Sequence, residues 1–166
     1  MARPPESKLV SLVQLATLCE QLHQEKLKIV TTNGCFDLLH RGHTEYLAQA
    51  KALGDALIVG INSDASVRHL KGPSRPLQDQ ETRALQLAAL ESVDWVTIFE
   101  EPTPHPFLEI VRPAIHVKGG DYQVSDLPER EVVQRYQGEV RCLPLVPGFS
   151  TTQLIEKIRD LFSTPK

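Results

Sequence analysis

A chain of 166 residues with a net charge of −3 lacks the basic face that broad nucleic-acid binding needs, so no nucleic-acid partner is expected. It is 41% hydrophobic and 23% charged, which is typical of one globular domain over residues 1–166, and no apolar run reaches the roughly 20 residues of a membrane span. Three scattered cysteines and an N-terminus without an apolar signal segment favour a reducing, cytoplasmic location, and residues 1–8 are predicted to be a loose arm.

Hydrophobic periodicity predicts helices and strands in alternation along the chain. An amphipathic helix is predicted first, over Leu9–Leu22. Short apolar runs then predict strands at Leu27–Thr32, Ala56–Ile61, Trp95–Phe99, Ala114–Lys118 and Val140–Val146. Helices are predicted between and after them, at Thr44–Leu53, Glu81–Leu90, Pro106–Val111, Glu129–Tyr136 and Gln153–Phe162. The predicted fold class is α/β, a Rossmann-like three-layer parallel sheet with helices on both faces.

The segment between the first predicted strand and the helix after it holds two histidines, His40 and His43, separated by Arg41 and Gly42. A helix N-terminus offers free backbone N–H groups and the positive end of the helix dipole, which suit a phosphate. The histidines add side-chain donors, and Gly42 lets a ligand approach the backbone closely. The segment therefore predicts a polyphosphate site. Zinc is an alternative, since Cys35 with the two histidines supplies three possible ligands.

Positive charges follow the second predicted strand in the segment His69–Pro76, which is predicted to be a mobile basic loop. Lys71 and Arg75 in this loop are candidates for a lid that closes over phosphates, although a plainly solvated loop is the alternative. Arg83 lies near the start of the next predicted helix. It either reaches the same site or merely pairs with Glu81 or Asp79.

Two further polar segments follow later strands. One is Lys118-Gly119-Gly120-Asp121, whose glycines allow a base or ribose to lie against the backbone or only mark a tight turn. The other, Ser150-Thr151-Thr152, precedes the last predicted helix and binds a phosphate or simply caps that helix. The carboxyl ends of parallel strands meet at one edge of a sheet, so the four polar segments are expected to converge there.

The same residues resemble a known family. His40-Arg41-Gly42-His43 after Gly34-Cys35-Phe36-Asp37 resembles the HxGH signature of the cytidylyltransferase-like nucleotidyltransferases, and Ser150-Thr151-Thr152 resembles their second signature. The likeness is greatest to the adenylyltransferase domain of the bifunctional ADP-heptose synthases. That narrower likeness depends on Asn62-Ser63-Asp64 and Val117-Lys118-Gly119-Gly120-Asp121-Tyr122, and it covers the chain from about Leu9 onward.

The resemblance implies that ATP and D-glycero-β-D-manno-heptose 1-phosphate give ADP-heptose and pyrophosphate, with Mg²⁺ bound mainly through the nucleotide phosphates. His40, His43 and Lys71 are then the catalytic residues, and Asp64, Arg75 and Arg83 bind the sugar phosphate. The residues expected at the nucleotide are Thr32, Asn33, Gly34, Cys35, Phe36, Gly42, Lys118, Gly119, Asp121, Ser150, Thr151 and Thr152. A homodimer and a separate upstream kinase are implied as well.

Two other functions fit the same residues. One is transfer of CMP to a polyol or amino-alcohol phosphate, but glycerol-phosphate cytidylyltransferases carry an arginine before Ser-Thr-Thr where this chain has Leu145-Val146-Pro147-Gly148-Phe149. That difference favours ATP. The other is a non-catalytic nucleotide-binding protein of the same fold, which would bind nucleotide without releasing pyrophosphate.

Overall fold

A parallel β-sheet forms the centre of the computed structural model, which describes residues 3–120 and 122–163. The strands in this part of the chain are β1 (Ile29–Gly34), β2 (Ala56–Asn62), β3 (Trp95–Phe99), β4 (Ile115–Gly119) and β5 (Glu139–Leu143). Their order across the sheet is β3-β2-β1-β4-β5, and every neighbouring pair is parallel. The predicted class, a parallel α/β fold, is confirmed.

Helices cover both faces of the sheet. They are α1 (Leu12–Gln24), α2 (Arg41–Lys51), α3 (Asp64–Lys71), α4 (Gln80–Ala88), α5 (His105–Val111), α6 (Glu129–Arg135) and α7 (Thr151–Ser163). Leu47 of α2 and Leu87 of α4 belong to the apolar cluster on one face. Leu15 of α1, Phe107 of α5 and Val133 of α6 belong to the cluster on the other. The sheet is therefore buried on both faces, as apolar strands of a parallel sheet require.

The position of β1 decides where a ligand can bind. The chain leaves β1 to form β2 and β3 on one side of it and later returns to form β4 on its other side. In open parallel sheets a crevice opens at this reversal, beyond the carboxyl ends of the strands. The crevice of this protein thus lies where β1 runs into Cys35 and where β4 ends at Gly119.

Three predicted elements differ from the structure. The predicted basic loop begins as a helix, because α3 extends to Lys71. Ser63 caps the start of this helix by accepting a hydrogen bond from Ser66 N (3.2 Å). The last strand ends at Leu143 and not at Val146, since Pro144 and Pro147 lack the N–H that a strand ladder needs.

The arm predicted to be loose is partly fixed in place. Residues Pro5–Lys8 form a 3₁₀ helix, and Lys8 Nζ donates to the carbonyl oxygens of Leu90 (3.0 Å) and Val93 (2.8 Å). Leu9 then forms a parallel bridge with Val96 on the edge strand β3. The lysine anchors the segment through contacts more than eighty residues away in sequence, which local composition does not reveal.

No helix in the described part of the chain is both long enough and apolar enough to cross a membrane.

Candidate active site

The two histidines lie together at the start of α2. His40 is the N-cap residue in extended conformation, and its carbonyl accepts a hydrogen bond from His43 N (2.9 Å). The two imidazole rings stack with centroids 3.8 Å apart and an interplanar angle of 21°. Phe36 tilts against His43 at 5.1 Å. A side chain at Gly42 would place its Cβ 3.0 Å from the His40 ring, so glycine is needed for the close approach of the ring to the backbone.

Burial keeps this histidine pair uncharged. Desolvation lowers the pKa of His43 to about 4, with a further lowering by the neighbouring His40 and a partial offset by the Leu38 carbonyl. Desolvation also lowers the pKa of His40. Both rings are therefore neutral imidazoles at neutral pH, each with one N–H donor. Among the described residues, His40 Nδ1 has no hydrogen-bond partner.

A cleft of about 280 Å³ opens over the histidines. Its floor is the end of β1 and the turn after it, and its walls come from β4 and from the segment before α7. The predicted residues that line it are Asn33, Gly34, Cys35, Phe36, His40, Gly42, His43, Gly119, Ser150 and Thr151. The structure thus brings together three of the four polar segments expected to converge.

Sequence reasoning missed four residues of the cleft wall: Tyr46, Leu145, Val146 and Phe149. Tyr46 is buried and its hydroxyl bonds Thr32 Oγ1 (2.7 Å) and the Val117 carbonyl (2.9 Å), so it ties β1 to β4 beneath the cleft. Phe149 lies over Gly42, and its ring lies 5.5 Å from the Arg41 guanidinium. In the sequence, the apolar residues within 145–149, which a proline interrupts, were the feature that could have indicated this wall.

The predicted residues Thr32, Lys118 and Thr152 do not line the cleft. Thr32 is fully buried with its hydroxyl engaged by Tyr46, so it supports the cleft from below. Thr152 is exposed at the start of α7. Ser150 caps α7 by accepting a hydrogen bond from Gln153 N (3.1 Å), and Thr151 Oγ1 donates to the Leu38 carbonyl (3.4 Å). Ser150 therefore has the helix-capping role that the sequence suggested, and it also lines the cleft.

Lys118 lies beside the cleft with two partners. Its Nζ donates to Glu129 Oε1 at 2.7 Å and to Asn33 Oδ1 at 3.3 Å. Glu129 was not anticipated, because its contact with Lys118 crosses from α6 to β4. The adjacent Asp121, predicted to bind nucleotide, lies outside the described residues.

The cationic residues after β2 occupy different places. Arg75 Nε donates to the buried carboxylate of Asp37 at 2.5 Å, which also accepts from Leu77 N (2.8 Å) and Gln78 N (3.0 Å). In the part of the chain that the structure describes, this ion pair is made by Nε of Arg75. Lys71 is exposed at the end of α3. Burial raises the pKa of the Cys35 thiol, and the positive charges of Lys71, Arg83 and Arg75 partly offset this rise. Lys71 is therefore near the cleft but does not line it.

Arg83 has a different position from the one predicted. Its side chain is completely buried, and it donates to the carbonyls of Cys35 (2.6 Å), Asn62 (2.9 Å) and Gln78 (3.1 Å). It also pairs with Asp64 at 2.8 Å. The prediction that Arg83 contacts a substrate directly is therefore wrong, because the side chain is buried and four of its five N–H groups bond other parts of the protein. It joins the turn after β1 to the end of β2, and it engages Asp64 as well.

The described residues hold no group of three or more His, Cys, Asp or Glu side chains arranged to bind a metal ion. Cys35, His40 and His43, the residues of the zinc alternative, therefore do not meet as ligands. Cys35 Sγ instead lies 4.0 Å from Asn62 Oδ1. Of the residues described, no Asp or Glu lines the cleft, so a cation there would have to come with a ligand's own phosphates.

A parallel sheet whose switch-point cleft carries a His-x-Gly-His turn and a Ser-Thr helix start has the features of the HxGH-type nucleotidyltransferases. The sequence model of the Cytidylyltransferase-like family matches residues 31–162. The chain belongs to this family and is a nucleotidyltransferase.

Individual relatives narrow the comparison. The chain is 51% identical over 154 residues to the "Bifunctional protein HldE" of Pseudomonas syringae pv. syringae, and 49% identical over 153 residues to that of Geobacter sulfurreducens. These matches cover 93% and 92% of this chain but 32% and 31% of the relatives. The chain therefore spans about a third of the length of the curated relatives it matches.

Solved structures agree on the fold. The "lipopolysaccharide core biosynthesis protein" from Thermoplasma volcanium is 26% identical with a TM-score of 0.61, over 72% of this chain and 97% of that one. A pantoate-β-alanine ligase from Francisella tularensis has a TM-score of 0.55 over 95% of this chain and 79% of that one, at 13% identity. The second likeness concerns the fold alone.

Replacing Arg83 by methionine should destabilise the protein by about 3 to 5 kcal/mol, because three buried carbonyls and Asp64 lose their donor. Urea unfolding measures the change. Arg68→Met, an exposed position in α3, is the matched control and should change stability by less than about 0.5 kcal/mol. A loss below about 1 kcal/mol for Arg83→Met would show that the buried guanidinium does not hold these segments together.

The protein should lose stability in acid because His116 is buried as a neutral imidazole. Burial, with the charge of Lys118, lowers its pKa from 6.5 to about 3. Between these values the unfolded chain binds a proton that the folded chain excludes, so the free energy of unfolding falls as the pH falls, by up to about 1.4 kcal/mol per unit. Above pH 6.5 the histidine is unprotonated in both the folded and the unfolded chain, so it no longer makes the free energy of unfolding depend on pH.

Urea unfolding at a series of pH values tests this dependence. His116→Gln should show a shallower loss in acid than the wild type, whereas the control His69→Gln, at an exposed position, should follow the wild type. Parallel curves for His116→Gln and the wild type would contradict the assignment.

Proposed function

We propose that this nucleotidyltransferase transfers AMP from ATP to D-glycero-β-D-manno-heptose 1-phosphate. An oxygen of the sugar phosphate attacks the α-phosphorus of ATP, the bond from that phosphorus to the bridging β-phosphate oxygen breaks, and ADP-heptose and pyrophosphate form. The observation that carries the proposal is the stacked pair of neutral histidines on the floor of the cleft, beside the start of α2. Such a turn suits a phosphate whose charge changes during reaction.

The choice of ATP and of a heptose is supported by the relatives. Two "Bifunctional protein HldE" sequences share about half of their aligned residues with this chain, and the solved relative from Thermoplasma volcanium is named for lipopolysaccharide core biosynthesis. ADP-heptose is a precursor of that core. The absence of an arginine from Leu145-Val146-Pro147-Gly148-Phe149 adds support for ATP over CTP.

The reaction needs little proton chemistry from the protein. The attacking phosphate is already an anion, so no general base is required, and catalysis depends on positioning and charge stabilisation. Neutral His40 donates its one N–H to a phosphate oxygen at the α-phosphorus, and His43 supplies a second donor when its N–H leaves the Leu38 carbonyl. Burial of the rings removes competing water and strengthens these hydrogen bonds.

The triphosphate lies along two helix starts in this proposal. The free N–H groups at the beginning of α2 and at Thr151 in α7 face one cleft and favour anionic oxygens. Lys71, exposed at the end of α3, supplies a further positive charge near Cys35. Magnesium enters as part of the ATP complex, which agrees with a cleft whose described lining contains no carboxylate.

Arg75 is the proposed contact for the sugar phosphate. Asp37 takes its Nε and so fixes the direction of the guanidinium, while the terminal nitrogens keep donors for a phosphate. Asp64, held by Arg83, offers a carboxylate oxygen to a sugar hydroxyl. Because the acceptor is itself a sugar phosphate, the proposal includes a separate kinase that acts before this step.

The proposal predicts pyrophosphate release with magnesium, ATP and the heptose 1-phosphate, and much slower release with CTP. His43→Ala should lower kcat by about 100-fold or more, because a donor aimed at the changing phosphate is lost. His23→Ala, at an exposed position on α1, is the control and should keep wild-type turnover.

A continuous pyrophosphate assay across ATP, CTP and a panel of sugar and polyol phosphates measures these rates. Faster turnover with CTP and a polyol phosphate would replace the proposal by cytidylyl transfer. Nucleotide binding with no pyrophosphate from any pair would indicate a binding protein, and wild-type turnover in His43→Ala would remove this histidine from the mechanism.

A further inference from the structure

A buried polar chain leads from the cleft into the layer of α6. Asn33, which lines the cleft, accepts from Lys118 Nζ at 3.3 Å, and the same nitrogen donates to Glu129 Oε1 at 2.7 Å. Glu129 is 4% exposed, and the Lys118 side chain is 20% exposed. Behind them lies His116, fully buried, whose Nδ1 bonds Thr31 Oγ1 at 2.9 Å.

This chain of groups costs the fold stability. An ion pair taken out of water rarely repays its desolvation, and apolar residues of similar volume often serve as well. Two of its atoms, Glu129 Oε2 and His116 Nε2, are buried without a hydrogen-bond partner among the described residues. Buried polar atoms without partners are uncommon, so each one calls for an explanation. Stability alone therefore does not explain an acid at position 129.

We propose that Glu129 is a positioning residue that holds Lys118 against Asn33, so that this pair binds the nucleoside part of the nucleotide. The inference rests on the proposed function in one respect, that the cleft binds a nucleotide. Glu129 itself does not line the cleft, and it acts through Lys118.

The charges explain why the nucleoside is the part bound. Glu129 compensates the positive charge of Lys118 at 2.7 Å, so the edge of the cleft beside Asn33 carries hydrogen-bond donors with little net charge. Such a surface suits uncharged ribose hydroxyls or ring nitrogens, while the anionic phosphates go to the histidines and the helix starts. An ammonium group has three donors, and the described partners Glu129 and Asn33 use two, so one remains for the ligand.

Calorimetric titration of the whole chain with adenosine and with ATP tests the assignment. In Glu129→Gln the dissociation constants for both ligands should rise by about tenfold and by the same factor, since the lost alignment concerns the shared nucleoside. KM for ATP should rise similarly, with kcat changed by less than about threefold. The matched control Glu131→Gln, exposed on the same helix, should bind both ligands as the wild type does.

A second variant separates positioning from folding. Replacing the pair together, Lys118→Met with Glu129→Leu, should keep stability close to wild type in urea unfolding, because no charge is left buried alone. Adenosine binding should nevertheless stay at least about tenfold weaker. Wild-type adenosine binding in this double variant, or a loss in Glu129→Gln that affects ATP but not adenosine, would overturn the proposal.

The readouts also keep this inference apart from the proposed reaction. Weakened adenosine and ATP binding in Glu129→Gln, together with no turnover of the heptose phosphate by the wild type, would support the positioning role and reject the reaction. A wild type that binds no nucleoside or nucleotide, with cytidine and CTP included in the titrations, would overturn both.

Discussion

The parallel pairing of β1 with both β2 and β4 is the constraint on which the rest of the structure depends. In this register Asn33 lies beside Gly60, and Thr32 lies beside Val117, so the turn after β1 begins level with the ends of its neighbours. The start of α2 therefore faces the end of β4, and a cleft opens between them. A shift of one residue in β1 would send its core side chains to the opposite face and would separate the histidines from the β4 wall.

Buried ionic contacts hold this edge in place. Arg83 joins the turn after β1 to the end of β2, Asp37 gathers the segment around Arg75, and Lys118 connects β4 to α6. Each contact carries a desolvation cost. Such contacts fix directions as well as distances, because guanidinium and carboxylate groups bond along defined lines. These contacts fix the segments around the cleft, and burial keeps the two histidines at its floor uncharged.

The sequence predicted the fold class and the histidine turn better than the side-chain contacts between distant segments. Apolar runs such as Ala56–Ile61 and the turn at His40 and His43 are local signals, and the parallel α/β class and the placement of both histidines in one cleft followed from them. Arg83 was assigned wrongly because its partners lie up to 48 residues away, and neither periodicity nor composition encodes such contacts. The contact of Glu129 with Lys118 was missed for the same reason, since α6 and β4 meet only in the folded chain.

The central claim is that the α-phosphate of the nucleotide lies against the two stacked imidazoles. Nitrogen-15 NMR of the histidine side chains, recorded while a magnesium complex of α,β-methylene-ATP is added, tests this contact directly. The account predicts that the ring resonances of His40 and His43 shift with saturation of the nucleotide, while those of His23, exposed on α1, stay nearly constant. Saturable binding that leaves both His40 and His43 unchanged would contradict it.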